Sequence, residues 1–201
     1  MPPPTDSAPK PGGAKPVPGA YLHSRGYLPH FHLPNAIHSV TFRLADSLPA
    51  AIVAQLHAHL DTPEGREQYE DALDTCRGAC LLGDPVAAEI VVAALRHFDG
   101  DRYRLLAWCV MPNHVHVVVE LTGPTSLGAI VQGWKSFTAR QINKLCGGVG
   151  RAWQPDYFDR YVRDQAHLAA VVAYVENNPV KAGLAARAAD WRFSSAVEGP
   201  R

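Results

Sequence analysis

The sequence lacks a long apolar run: no stretch of about 18 consecutive apolar residues occurs, so no segment is expected to span a membrane. The amino-terminal segment, MPPPTDSAPKPGGAKPVPG, also lacks the apolar core of a secretory signal peptide. Cysteine is scarce. The four cysteines of the 201-residue chain are too few and too scattered for a disulfide framework, and no second pair completes a zinc site with Cys76 and Cys80. These absences predict a cytoplasmic chain with reduced thiols.

Net charge is also absent, since 19 Lys and Arg residues balance 19 Asp and Glu residues, and composition alone does not point to a nucleic-acid partner. The charge is unevenly distributed, however. Residues 126–201 carry ten basic and six acidic residues, a net charge of +4, whereas residues 45–100 carry three basic and ten acidic residues, a net charge of −7. Two interpretations of the basic half stay open: it binds a polyanion by releasing condensed counterions, or it is a solvated surface.

The first half of the chain divides into a tail and the start of a domain. Residues 1–20 are rich in proline, glycine and alanine and predict a disordered tail, followed by one domain over residues 21–201. The alternating, β-branched segment 38–44 predicts a strand, and residues 47–60 predict a helix. Residues 61–79 are polar and acidic and favour a helix and a loop equally.

A helix begins more clearly at Asp84-Pro85, where a capping acid precedes a proline in the first helical position, and it ends before Gly100. Two β-rich runs, residues 101–110 and 114–121, then flank a short Met-Pro-Asn connection, which is the pattern of a hairpin.

The last third of the chain repeats this alternation of helix and strand. Ser126 caps an amphipathic helix that is predicted to run to Leu145, and residues 157–162 predict another strand. Residues 166–177 predict a helix that Pro179 closes, because proline cannot continue it. The order of elements, βαββαβα, predicts an α+β sandwich with a central antiparallel sheet.

Two histidines on a predicted strand are the first candidate functional residues. His114 and His116 stand two residues apart, so their rings project from the same face of the sheet and could hold a divalent metal ion. From the residues alone, the alternative is a pair of satisfied or exposed histidines. A second pair with the same spacing, His30 and His32, lies between prolines in a predicted loop and is assigned no metal.

The final predicted helix holds the second candidate feature. Tyr174 and Asn178 are four residues apart and therefore share a helical face. A phenol and an amide oxygen near a two-histidine metal would provide a nucleophile and a third ligand from one helix. The alternative is that Tyr174 packs in the core and Asn178 caps the helix.

These motifs together resemble a known family. The motif MPNHVH (residues 111–116), followed by an apolar strand, resembles the HUH signature of single-tyrosine transposases. Downstream, WQPDYFDRYVRD (153–164) and YVENNPVKAGL (174–184) closely resemble the REP-associated tyrosine transposases. The likeness extends over residues 26–196 and includes GYLPHF, VTFRLADSLP, LGDP, HFDGDRYRLLAWCVMPNHVHVVVE and WKSFTAR.

The resemblance implies a fold and a set of roles. The fold would be a ferredoxin-like or RRM-like sandwich, with helices on one face of the sheet and a C-terminal helix that carries the nucleophile. His114 and His116 would bind Mg²⁺ or Mn²⁺, Asn178 would complete the metal site, and Tyr174 would be the nucleophile. Val115 replaces the polar residue that some family members have between the histidines.

The implied function is the cleavage and joining of single-stranded DNA at palindromic repeat hairpins through a 5′-phosphotyrosine intermediate. A monomer is expected, although the family also includes swapped dimers. Basic and aromatic residues near the site are candidates for holding phosphates and stacking bases, while a salt bridge or core packing is the alternative for each. These candidates are Lys135, Arg140, Trp153, Arg160, Arg163 and Lys181.

Two other functions remain open on the sequence. A domesticated relative could bind DNA hairpins without cutting them, although binding alone does not require the two histidines, the tyrosine and the asparagine together. A metal-dependent hydrolase could use an activated water in place of the tyrosine. The ligand pattern of a zinc nucleobase deaminase is absent.

Overall fold

The structure is a computed structural model, which describes residues 21–24, 29–32, 35–57, 59–60, 62–148 and 150–199. The tail over residues 1–20, predicted to be disordered, lies outside the described residues. The first described segments are two short antiparallel strands, β1 (Tyr21–Ser24) and β2 (Pro29–His32). The predicted loop around His30 is therefore corrected to a strand. Pairing with β1 satisfies backbone groups of this segment, and a proline is tolerated as the first residue of a strand.

Four strands form the central sheet, which is antiparallel throughout. They are β3 (Ile37–Arg43), β4 (Tyr103–Val110), β5 (His114–Leu121) and β6 (Phe158–Tyr161), in the spatial order β4-β5-β3-β6. The first strand of this sheet thus lies between its third and fourth strands, as in a ferredoxin-like sandwich. The predicted α+β class and antiparallel sheet are confirmed, and β4 and β5 form the predicted hairpin.

Within the described ranges, five α-helices connect and cover the strands: α1 (Ala50–His57), α2 (Pro63–Asp74), α3 (Pro85–Arg96), α4 (Leu127–Leu145) and α5 (Gln165–Lys181). The predicted caps are present. The Asp84 carboxylate accepts hydrogen bonds from two backbone N–H groups of α3, and the Ser126 hydroxyl accepts one in α4.

The ambiguous acidic segment 61–79 contains helix α2. Its start is local in origin, because the Thr62 side chain accepts a hydrogen bond from Gly65 N and Pro63 occupies the first turn. The helix ends at Asp74, and Cys76 then adopts a left-handed conformation with φ of 48°. This helix places its carboxylates beside β5.

Helix α5 extends further than predicted, because it continues through Pro179 to Lys181. Proline removes one backbone hydrogen bond, and here the loss falls in the last turn. The Pro179 carbonyl still accepts a hydrogen bond from Leu184 N at 2.8 Å, and Gly183 follows the helix with φ of 71°. The prediction that Pro179 closes the helix is therefore corrected by about one turn.

The two faces of the sheet are covered by different helices. The crossover helices α3 and α4 pack on one face, as expected, and the main core there includes Phe42, Trp108, Val117 and Trp134. Helix α5 packs on the opposite face, where Val175 joins a smaller apolar cluster with strand residues. None of the helices within the described ranges is long and apolar enough to cross a membrane.

Alternation along β5 decides which of its side chains face α5. Val115, Val117 and Val119 belong to the core under α3 and α4, whereas Val118 belongs to the cluster under α5. Because side chains alternate along a strand, His114 and His116 share the face of Val118. The histidine pair and the C-terminal helix therefore lie on the same side of the sheet.

Candidate functional site

The two histidines predicted to bind a metal converge on one point. His114 and His116 are 0% and 1% exposed, and their Nε2 atoms lie 2.9 Å apart. Strand β5 is hydrogen-bonded on both sides, to β3 and to β4, so the backbone that carries the pair is held firmly. The predicted common orientation of the two rings is confirmed by this geometry.

Each ring is oriented through its other nitrogen. His114 Nδ1 lies 2.7 Å from Asn113 Oδ1, and His116 Nδ1 lies 3.0 Å from Oγ1 of Thr41, its cross-strand neighbour. Asn113 Nδ2 donates to the carbonyl of Leu73 at 3.0 Å, so its oxygen must face the ring. An amide oxygen only accepts, and therefore His114 carries its hydrogen on Nδ1 and presents a lone pair at Nε2.

Burial keeps both rings neutral. It lowers the pKa of His116 to about 3 and lowers the pKa of His114 well below its usual value, with the neighbouring His116 adding to the second shift. The His114 Nε2 lone pair faces His116 Nε2 at 2.9 Å, so a proton or a cation can be shared between the two rings. The pair therefore has the protonation state and the geometry that a metal ion requires.

Carboxylates from α2 approach the pair. Glu70 Oε2 lies 3.5 Å from His116 Nε2, and Asp74 Oδ1 lies 4.0 Å from His114 Nε2. Burial, reinforced by the charge of Asp74, raises the pKa of Glu70 to about 8. Glu70, His114 and His116 offer one ligand atom each within 4.8 Å of one another, and Glu70 Oε2 has no hydrogen-bond partner in the described part of the chain.

Glu70 was missed by the sequence analysis. It lies in the segment that favours a helix and a loop equally, among several other acids. The one available signal was the four-residue spacing of Glu70 and Asp74, which places both on one face if the segment is helical.

Tyr174 on α5 lies against the histidine pair. Its ring centroid is 5.8 Å from that of His116, with the two planes nearly perpendicular, and the residue is 38% exposed. Burial of the phenol, followed by the negative charges of Glu70 and Asp74, raises the pKa of Tyr174. The phenol therefore keeps its proton at neutral pH in the metal-free protein, while part of the side chain stays accessible.

Asn178 lies one turn after Tyr174 and is 1% exposed. Neither Oδ1 nor Nδ2 has a partner with good hydrogen-bond geometry in the part of the chain that the structure describes, although the amide is close enough to the Tyr174 phenol to lower its pKa. A buried amide whose hydrogen-bonding capacity is left unused costs about 1–3 kcal/mol, and a bound ion is one of the partners that can use it. The chemistry of Asn178 thus fits the metal-ligand role that the resemblance implies.

The predicted DNA-binding residues divide into two groups. Arg160, Arg163 and Lys181 line a cavity of about 850 Å³ together with His116 and Tyr174. The ammonium of Lys181 is also paired with carboxylates of α2, Asp71 at 2.6 Å and Asp74 at 3.3 Å. Lys181 therefore ties the end of α5 to α2 beside the site.

The other three predicted residues lie elsewhere. Lys135 is 5% exposed and donates to the carbonyls of Pro155 and Asp156, and Trp153 is 4% exposed with its Nε1 donating to Thr138. Both side chains thus hold internal structure together, which fits the core-packing alternative, and their contacts with DNA stay a prediction. Arg140 is exposed on α4, on a helix that covers the face opposite the histidines.

Comparison with known proteins agrees with this site. The family model described as IS200-like transposase matches residues 77–178, which is half of the chain and includes both histidines, Tyr174 and Asn178. The chain is 29% identical over 93 residues to a REP-associated tyrosine transposase of Escherichia coli, a match that covers 46% of this chain and 54% of that protein.

A homologue of Haemophilus influenzae with the same REP-associated description is 28% identical over 103 residues, covering 46% of this chain and 58% of its own length. The chain thus spans little more than half the length of these relatives. Its fold is similar to a solved REP-associated tyrosine transposase bound to a REP hairpin, with a TM-score of 0.54, 19% identity, and coverage of 84% of this chain and 81% of that one. The resemblance of the motifs to REP-associated tyrosine transposases is confirmed, and the chain belongs to the IS200-like transposase family.

Proposed function

We propose that this protein cleaves and rejoins single-stranded DNA at palindromic repeat hairpins, with Tyr174 as nucleophile and Mg²⁺ or Mn²⁺ as cofactor. The observation that carries the proposal is the contact between the Tyr174 ring and His116, because it brings a partly exposed phenol to a buried two-histidine cluster. The hairpin substrate is supported by a relative of the same fold, which was solved with a REP hairpin.

The donor set suits a divalent cation. His114 and His116 would supply imidazole nitrogens, and Asn178 Oδ1 and Glu70 Oε2 are buried oxygens without well-formed hydrogen bonds in the described ranges. When bound, the cation would supply positive charge that polarises the scissile phosphate and offsets the carboxylates facing the phenol.

The covalent step is a transesterification. Tyr174 Oη forms a bond to phosphorus as the bond from phosphorus to the 3′ oxygen breaks; the phenol loses its proton and the departing 3′ oxygen gains one. The product is a 5′-phosphotyrosine and a free 3′-hydroxyl. Because one phosphoester replaces another, attack by a 3′-hydroxyl reverses the step, and cutting and joining share one site.

The test uses the metal-loaded protein, a 5′- or 3′-labelled single-stranded hairpin DNA and Mn²⁺, followed by denaturing electrophoresis. The proposal expects a protein-sized shift of the labelled strand on the 3′ side of the cut, absent in Tyr174→Phe. Tyr161→Phe is the matched control, since Tyr161 is also a partly exposed tyrosine, at 37%, but lies on edge strand β6.

Two results would replace the proposal with another function. Cleavage that survives in Tyr174→Phe and leaves no adduct would indicate a metal-dependent hydrolase with an activated water. Tight hairpin binding with no cleavage in Mn²⁺ or Mg²⁺ would indicate a domesticated protein that binds DNA without cutting it.

A further inference from the structure

Three arginines from separate parts of the chain line the cavity beside Tyr174. Arg66 comes from α2, Arg160 from β6, and Arg163 from the connection between β6 and α5. Arg66 does not stand out in the sequence. Only the packing of α2 beside the sheet brings it to the other two.

The three guanidinium groups lie close enough to one another to interact, in addition to any contacts with carboxylates. The positive charges of Arg66 and Arg163 lower the pKa of the Arg160 guanidinium, after the larger contribution of burial. Neither Arg160 nor Arg163 forms an ion pair with a carboxylate of the described ranges. Arg66 is partly held, since its Nη1 donates to the Leu60 carbonyl at 3.1 Å. Like charges gathered in a cleft favour an anion there.

The cavity is therefore polarised. Glu70 and His116 line an acidic part that belongs to the candidate metal cluster, and the arginines form a cationic part of the same cavity. A single nucleic-acid strand that places one phosphate at the metal cluster must place its neighbouring phosphates nearby, and guanidinium groups bind phosphate oxygens in a bidentate manner.

We infer that Arg66, Arg160 and Arg163 form a binding site for the phosphodiester groups that flank the scissile phosphate of single-stranded DNA. The inference rests on the proposed function for the identity of the substrate. It specifies that the arginine site binds the DNA backbone and not the bases. It also assigns Arg66 to backbone binding.

The experiment measures binding without catalysis. Tyr174→Phe protein in EDTA is titrated against fluorescein-labelled oligothymidylate, which has no hairpin and no varied bases, and anisotropy is recorded over a series of salt concentrations. Each Arg→Gln substitution at 66, 160 or 163 removes one phosphate contact. Because the slope of log K against log salt is about −0.7 per contact for single strands, each should make the slope shallower by about 0.7 and weaken binding about fourfold near 0.15 M salt.

Matched variants separate this role from a general effect of charge or folding. Arg160→Lys keeps the charge and should keep the slope. Arg102→Gln removes an arginine beside the cavity between α3 and α4, and should leave both affinity and slope unchanged. Glu67→Gln removes a negative charge from the same cavity as the arginines and should not weaken binding.

Circular dichroism first verifies that the three Arg→Gln variants are folded. The inference is overturned if these variants keep the parental slope of log K against log salt, or lose no more affinity than Arg102→Gln. The outcome is independent of the nuclease test. A covalent adduct together with unchanged slopes would leave the proposed function standing and remove the arginine site. Shallower slopes without any adduct would support the arginine site and contradict the proposed function.

Discussion

Asn113 Oδ1 and His114 Nδ1 form a 2.7 Å hydrogen bond whose direction is set by the backbone of a different segment. The Asn113 amide donates to the carbonyls of Leu73 and Arg77, at 3.0 and 3.4 Å, so its oxygen alone can face the ring. The end of α2 and the loop after it thus determine the tautomer of a histidine on β5. Neighbours of this kind usually matter nearly as much as the ligands themselves.

Asn113→Ala should therefore weaken metal binding without removing a ligand. We expect Mn²⁺ affinity to fall about 10- to 100-fold. The metal-free protein should also lose about 1–3 kcal/mol of unfolding free energy, because the His114 Nδ1–H loses its acceptor and the Leu73 and Arg77 carbonyls each lose one donor. Calorimetric Mn²⁺ titration and urea denaturation measure the two effects. Asn143→Ala on α4 is the control, and equal Mn²⁺ affinities in the two variants would contradict the orienting role.

Metal affinity should depend on pH through Glu70. In the metal-free protein the pKa of Glu70 is raised to about 8, so below that pH a cation must displace a proton to use the carboxylate. Apparent Mn²⁺ affinity should then increase with pH, by up to about tenfold per unit, and level off near pH 8.

Glu70→Gln should remove most of this pH dependence and weaken binding, because the amide cannot be ionised. Glu67→Gln on the same helix should keep the parental profile. Affinity titrations at several pH values test both variants. A steep profile that persists in Glu70→Gln would show that another group binds the proton.

Asn178→Ala distinguishes a metal ligand from a purely structural asparagine, since Asn178 lies inside α5 and does not cap it. The buried amide has no well-formed hydrogen bond in the described residues, and its contact with the Tyr174 phenol has the smallest effect on the pKa of that phenol, so its removal should change the metal-free melting temperature little. A metal at about 100 times its Kd stabilises the parent by about 2.7 kcal/mol, and the variant should lose most of that gain.

Asn177→Ala is the matched control for this substitution, since its exposed amide donates to the Ala173 carbonyl at 2.8 Å. It should keep the full metal-dependent gain. Thermal melts with EDTA and with Mn²⁺ give the comparison. Loss of metal-free stability in Asn178→Ala, with a normal response to Mn²⁺, would indicate a purely structural asparagine.

Trp153→Phe should alter stability and leave DNA binding intact. The indole Nε1 donates to Thr138 Oγ1 at 2.9 Å, and the ring packs against Phe42 with centroids 4.9 Å apart. Loss of this hydrogen bond and of core volume should cost about 1–3 kcal/mol. Urea denaturation measures the cost, and anisotropy measures oligothymidylate affinity. A large loss of affinity at full stability would restore Trp153 as a base-stacking residue.

Much of the fold could be predicted because its causes are local. Asp84 and Ser126 cap helices where the sequence indicates a start, and the β4–β5 hairpin follows from two β-rich runs around a short connection. The two wrong predictions of secondary structure concern segments in which proline opposes the structure that forms. At Pro179 the cost of one missing hydrogen bond did not stop the helix, and at His30 pairing with β1 outweighed the flanking prolines.

The sequence by itself determined the spacing of the chemical groups within each element. Side chains alternate along a strand and return every turn on a helix, so His114 and His116 share a face, as do Tyr174 and Asn178. Tertiary structure alone decided that α5 lies over the histidine face, that Glu70 and Arg66 reach the site from α2, and that Lys135 and Trp153 turn inward. The physical reason is range: hydrogen-bond periodicity and capping act within a few residues, whereas the burial of apolar faces joins segments that are far apart in the chain.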